Sequence, residues 1–108
     1  MNVFAKIIAG EIPADKVFEN ERILVIKDIA PQAPVHLLFI PKEDVKDLQC
    51  LENLSLVSEM VEIAKSLAES MNLKKGYRFV TNVGSDGGQE VPHLHFHLLA
   101  GRPLGSIS

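Results

Sequence analysis

His93-Leu94-His95-Phe96-His97-Leu98-Leu99 packs three of the chain's four histidines into five residues. If this segment is a strand, residues two apart leave the same face at roughly 6.6–6.8 Å spacing. His93, His95 and His97 then line one face, and Leu94, Phe96 and Leu98 the other. A single histidine in such a row is most often a packed core residue, but three in register ask for more. Two chemistries suit them. The first is metal binding: neutral imidazole is a common zinc ligand, His-x-His presents two rings together, and His36 or Glu90 supplies a further ligand. The second is nucleophilic attack on phosphorus. Imidazole, with a pKa of ~6.5, is largely unprotonated at neutral pH, and neighbouring rings can donate to phosphate oxygens. The run Gly84-Ser85-Asp86-Gly87-Gly88-Gln89 just upstream favours the second chemistry. Its glycines let backbone N–H groups approach an anion closely, although most glycine-rich loops are simply tight turns.

These residues need elements to hold them. Asn2 caps a short first helix in which Phe4, Ile7 and Ile8 fall at helical spacing and which Gly10 stops. Residues 16–19 and 22–29 read as strands around a turn at 19–22. Two prolines in Ala30-Pro31-Gln32-Ala33-Pro34 make a rigid connection to a third strand over 35–40, closed by Pro41. In that strand His36 shares a face with Leu38 and Ile40. Leu56, Val57, Met60, Val61, Ile63, Ala64, Leu67, Ala68 and Met71 form the apolar stripe of a long helix, a core feature with no catalytic role. Asn72 and Lys74-Lys75-Gly76 end it. Residues 77–83 predict a fourth strand, and residues 93–100 a fifth that the glycine loop enters through Pro92. The expected architecture is α+β, an antiparallel five-stranded sheet with one short N-terminal helix and one long central helix. No linker or repeat divides the chain, so a single domain over 1–108 is expected.

The composition narrows the function classes. The chain has 108 residues, 46% hydrophobic and 23% charged, with 11 Lys plus Arg against 14 Asp plus Glu for a net charge of −3. That balance argues against a general nucleic-acid or anionic-membrane binder, which needs a basic surface. Cys50 is alone, so no internal disulfide forms. No apolar run approaches the ~20 residues of a membrane span, and the apolar patch near Met1 is too brief for a signal peptide. A cytoplasmic location is the default expectation.

The chain resembles the histidine triad nucleotide-binding proteins, in their purine nucleoside phosphoramidase branch. The signature His-φ-His-φ-His-φ-φ, with φ an apolar residue, is complete at 93–99. The likeness extends through FAKIIAGEIP (4–13), DIAPQAPVHLLFIP (28–41), GYRFVTN (76–82) and GSDGGQEV (84–91). The resemblance implies a hydrolase of adenosine 5′-phosphoramidates or aminoacyl adenylates that releases AMP. His95 would be the nucleophile, forming a nucleotidyl-histidine intermediate. His97 would contact the phosphate and help the leaving group, while His93 and His36 orient rings and relay protons. Asp28 would accept from the ribose hydroxyls. Val3, Phe4, Ile7, Ile26, Ile29 and Leu38 match the pocket around the base, although plain packing explains Phe4 and Ile7 equally well. Asn82, Gln89 and the backbone after Gly88 match the phosphate contacts. The resemblance further implies a purine nucleotide as ligand (AMP, adenylates or GMP), no metal cofactor and a homodimer. Two departures stand out, Pro92 where several relatives carry Tyr and Glu90 where some carry Ser. Glu90 beside a phosphate suggests a cationic amine as leaving group. The alternatives are a nucleotide-binding module without turnover, and a zinc site built from His93, His95, His97 and His36.

Overall fold

The computed structural model describes residues 1–106. Helix α1 (Val3–Ile8) starts where Asn2 Oδ1 accepts the Ala5 N–H at 2.8 Å, and it buries Phe4 and Ile7. Gly10, at φ +81°, turns the chain out of it, a conformation that costs glycine little. Strands β1 (Lys16–Glu19) and β2 (Ile23–Lys27) form a hairpin. Asn20 closes it, its Oδ1 accepting the N–H groups of Arg22 (2.9 Å) and Ile23 (2.8 Å). Strand β3 (Val35–Pro41) pairs antiparallel with β2, followed by α2 (Ser55–Ser70), β4 (Arg78–Val80) and β5 (Phe96–Ala100). The sheet order is β1-β2-β3-β5-β4, every pairing antiparallel.

The central strands are covered on both faces, so β2 reads as an unbroken apolar run. One face carries Val25, Leu37, Phe39, Phe96 and Leu98 against Leu56, Met60, Ile63 and Ala64 of α2. Burying each of these larger side chains contributes about 1.5–3 kcal/mol. The other face carries Leu24, Ile26, Leu38 and Ile40 against Phe4 and Ile7 of α1. His36 and His97 lie on β3 and β5, where Leu38 pairs with His97 and His36 with Leu99. No helix among the described residues is long and apolar enough to cross a membrane.

Three strands are shorter than the sequence pattern predicts. β2 stops at Lys27, β4 covers only Arg78–Val80, and β5 begins at Phe96 instead of His93. Pro92 has no N–H for a ladder. Past it, the His93 N–H bonds Val91 O at 2.8 Å and the Leu94 N–H bonds Val45 O at 2.8 Å. Beyond β4 the Thr81 hydroxyl donates to His95 O at 2.6 Å, a side chain standing where a ladder bond would run. The three clustered histidines are therefore not one row on one strand: only His97 is in β5, His95 lies in the segment just before it, and His93 lies in the bend that precedes that segment.

Candidate active site

Hydrogen bonds to groups of fixed polarity assign each histidine's proton. The Nδ1 of His95 lies 2.7 Å from the carbonyl oxygen of His93. A carbonyl only accepts, so Nδ1 carries the proton and Nε2 keeps its lone pair. The Nδ1 of His36 accepts the backbone N–H of Gln32 at 3.0 Å, which places the His36 proton on Nε2. That Nε2 lies 2.9 Å from His97 Nδ1, so His97 accepts there and presents its own N–H at Nε2. The Nε2–H of His93 donates to Pro41 O at 2.9 Å. The site thus offers a ring nitrogen with a free pair on His95 beside a ring N–H on His97. The His95 and His97 rings meet edge-on, with centroids 5.0 Å apart.

Burial favours the neutral form of His36, His95 and His97. Desolvation pulls His95 below the ordinary imidazole range, against the raising effects of its bond to the His93 carbonyl and of the Asp28 and Glu90 carboxylates. His36 is lowered by burial, with Asp28 opposing. His97 falls to about 4, first from burial and then from repulsion by His95 and His36. Removing a cation from water is the common cause, and crowding three rings adds to it.

Asp28 sits just past β2. Its Oδ1 accepts the Ala30 N–H at 2.8 Å, and its Oδ2 lies 3.4 Å from His36 Nε2. Of the residues matched to the base pocket, Phe4, Ile7, Ile26 and Leu38 pack into one cluster on the α1 side of the sheet. Phe4 touches the His95 ring edge-on at a centroid distance of 4.8 Å. Val3 and Ile29 do not join the cluster: Val3 is 43% exposed and Ile29, on the β2–β3 connection, 100%. Asn82 is half-buried at the entry to the glycine loop, and Glu90 is exposed at its exit. The Gln89 side chain is spent on the loop itself. Its Oε1 accepts the Gly84 N–H at 3.0 Å, and its Nε2 donates to Lys46 O (2.8 Å) and Val91 O (3.0 Å). Gly88, at φ +82°, gives that loop a left-handed residue.

The same protons bear on metal ligation. Asp28, His36 and His97 bring ligand atoms within 4.8 Å of one another, a spacing that suits a cation. The atom His36 would offer is Nε2, and the Gln32 N–H on Nδ1 holds the proton there. The set His93, His95, His97 and His36 fits less well, because three of its four lone pairs are already used. His93 Nδ1 faces the Asn2 amide, His36 Nδ1 takes the Gln32 N–H and His97 Nδ1 takes the His36 N–H, leaving only His95 Nε2 free. The donor chemistry suits an imidazole relay better than a metal. Sequence reasoning missed three supporting groups: Thr81, the Pro41 carbonyl and the Gln32 N–H. Only Gln32 had a signal, its place between two prolines four residues before His36.

Comparison with known proteins gives a consistent result. The profile of the HIT domain family matches residues 9–104. A HIT-like protein of Chlamydia pneumoniae is 50% identical over 110 aligned residues spanning the whole of both chains. A solved HIT family hydrolase from Clostridium thermocellum superposes with a TM-score of 0.92 at 42% identity, covering 97% of this chain and 94% of that one. A histidine triad nucleotide-binding protein from Candida albicans gives a TM-score of 0.85 at 30% identity, covering 100% and 84%.

Proposed function

The chain belongs to the HIT domain family, and from that membership we propose that it hydrolyses purine nucleoside 5′-phosphoramidates and related adenylates to AMP through a nucleotide held on His95. Its relatives include a hydrolase and a nucleotide-binding protein, which supports the general class. The observation that carries the reading is the bond from His95 Nδ1–H to His93 O, which leaves Nε2 bare in a ring that burial keeps neutral.

In the proposed reaction His95 Nε2 attacks the α-phosphorus, forming an N–P bond as the P–N bond to the amine breaks. The amine leaves with a proton taken from solvent. His97 Nε2–H donates to the phosphoryl group, held in direction by the His36 bond to its Nδ1. The phosphorylated ring becomes cationic, and the His93 carbonyl facing its Nδ1–H stabilises that charge. Water then attacks phosphorus and the electron pair returns to Nε2, freeing AMP. Asp28 takes the ribose hydroxyls, the base lies against the Phe4 side of the sheet, and Asn82 with the backbone after Gly88 faces the phosphate. The working form in this reading is a cytoplasmic homodimer without a metal cofactor, acting on adenylates or guanylates.

The test is release of AMP from adenosine 5′-phosphoramidate by wild type and His95→Ala, with acid-quenched samples searched by mass spectrometry for nucleotide on His95. Wild type should turn over and trap the adduct, while His95→Ala binds AMP and barely turns over. Full activity in His95→Ala would sink the assignment. Binding without hydrolysis by wild type across a panel of adenylates would instead mark a binding module.

A further inference from the structure

Asn2 caps α1, and its side chain also reaches the histidines. We propose that Asn2 is a positioning residue for the nucleophile, its carboxamide holding the His93 ring in the tautomer that keeps the His93 carbonyl on His95. The proposal rests on the reading of His95 as nucleophile.

The capping bond fixes the orientation of the Asn2 amide. Asn2 Oδ1 is taken by the Ala5 N–H at 2.8 Å, so the group facing His93 Nδ1 at 3.4 Å is the NH2, a donor. A donor there needs a lone pair on Nδ1, which puts the His93 proton on Nε2. Pro41 O, 2.9 Å from Nε2, demands the same. Both ends of the ring agree, and at 1% exposure His93 has little access to water as a substitute partner. The ring is pinned between the start of α1 and the end of β3.

The link to the nucleophile is short. His93's own carbonyl accepts from His95 Nδ1 at 2.7 Å. If His93 adopted the other tautomer, its Nε2 lone pair would face the Pro41 carbonyl and the ring would be driven off its seat. The backbone carbonyl beneath it would shift, and the His95 proton could move to Nε2, the atom that must attack. Phe4, two residues after Asn2, reinforces the clamp with edge contacts to His95 (4.8 Å) and His93 (6.3 Å). A single asparagine thus couples the cap of α1 to the protonation pattern of the site.

Asn2→Asp separates the two roles. Aspartate caps helices as well as asparagine does, but it sets an acceptor where His93 needs a donor. The measurements are 15N shifts of the His93 ring nitrogens, thermal melting, and kcat and KM for adenosine 5′-phosphoramidate across pH. Wild type should show His93 as the Nε2–H tautomer. N2D should melt near wild type with little change in KM, lose that tautomer, and show kcat reduced about 10- to 100-fold with a new ionisation in its profile. Asn2→Ala, losing both roles, should fall in melting temperature as well as kcat. A wild-type His93 found as Nδ1–H overturns the proposal whether or not N2D folds, and so does an N2D enzyme with wild-type kcat and pH profile. If wild type releases no AMP at all, the nucleophile reading has failed, and the ring-nitrogen comparison still decides the role of Asn2.

Discussion

Acidification from about pH 7 to about pH 4 puts a proton on His97 more readily in the unfolded chain than in the folded one, and the cost can be worked out. An exposed histidine titrates at ~6.5, while His97 in its place titrates at about 4. The gap of about 2.5 units, at about 1.4 kcal/mol each, sets a ceiling of about 3–4 kcal/mol. His97 is only half-buried, and solvent screening reduces this to about 1–2 kcal/mol. The sign follows from which state binds the proton first. Above ~6.5 the stability is whole; as pH falls the unfolded chain is protonated and the folded ring is not, so stability drains away until about pH 4. His36 and His95 are lowered in the same direction, and repulsion among the three rings keeps their contributions from adding in full. For a chain of this size a drop of about 5–15 °C in Tm is expected. The assay is thermal melting by circular dichroism in half-unit pH steps, on wild type and His97→Asn, which keeps an oxygen acceptor for His36 and does not titrate. His97→Asn should melt with a visibly flatter pH dependence. A wild type as stable at about pH 5 as at about pH 7, or a His97→Asn slope identical to wild type, would refute the reasoning.

Three further outcomes follow from named contacts. His36→Ala removes the donor on His97 Nδ1, so kcat for the phosphoramidate should fall on the order of tenfold with KM little changed; an unchanged kcat would show that His97 needs no partner. Gln89→Ala strips three bonds from the glycine loop and should cost about 1–3 kcal/mol, read as faster hydrogen exchange at the Gly84 amide; unchanged protection there would mean the loop holds itself. Glu90 acts on His95 through its charge, so Glu90→Gln should lower the preference for lysyl-linked over uncharged amine-linked adenylates, and an equal preference in both proteins ends that idea.

Much of the scaffold could be read from residue pattern alone, because local chemistry and burial agree there. Asn2 before Phe4 and Ile7 announces a capped amphipathic turn, and the long stripe ending near Met71 announces α2. The strand reading of 93–100 failed at its start for a local reason. Alternating residues look the same whether or not the backbone is in a ladder, and Pro92 sends the N–H groups of His93 and Leu94 to Val91 and Val45 instead. The meeting of His36 with His97 depends on strand register, which a sequence of apolar alternations leaves open by steps of two. Leu38 opposite His97 settles it. Ile29 and Val3 show the limit of residue type: an apolar side chain on a connection or a helix start says nothing about which way it faces. Gln89 shows another, since spacing does not reveal whether an amide is free for a ligand or already used.

The distribution of charge has a consequence for the proposed chemistry. Among the described residues, lysine and arginine ion pairs run to Asp15, Glu19 and Glu59, and the ion-pair contact at the histidines is His36 with Asp28. A phosphate bound there meets neutral N–H dipoles, from the His97 ring and the loop backbone. Such donors bind a single negative charge adequately but hold it less tightly than a desolvated cation would. This suits a covalent two-step reaction. In the proposed reaction the strongest positive charge in the site arises on the His95 ring only once it carries phosphorus, so attraction would peak at the intermediate and disappear when water restores the neutral imidazole. The AMP product of that reaction would then face the same weak donors that admitted the substrate, with Asp28 and Glu90 adding repulsion. Burial of three uncharged rings, costly to stability in acid, is in this view the condition that lets the site release what it makes.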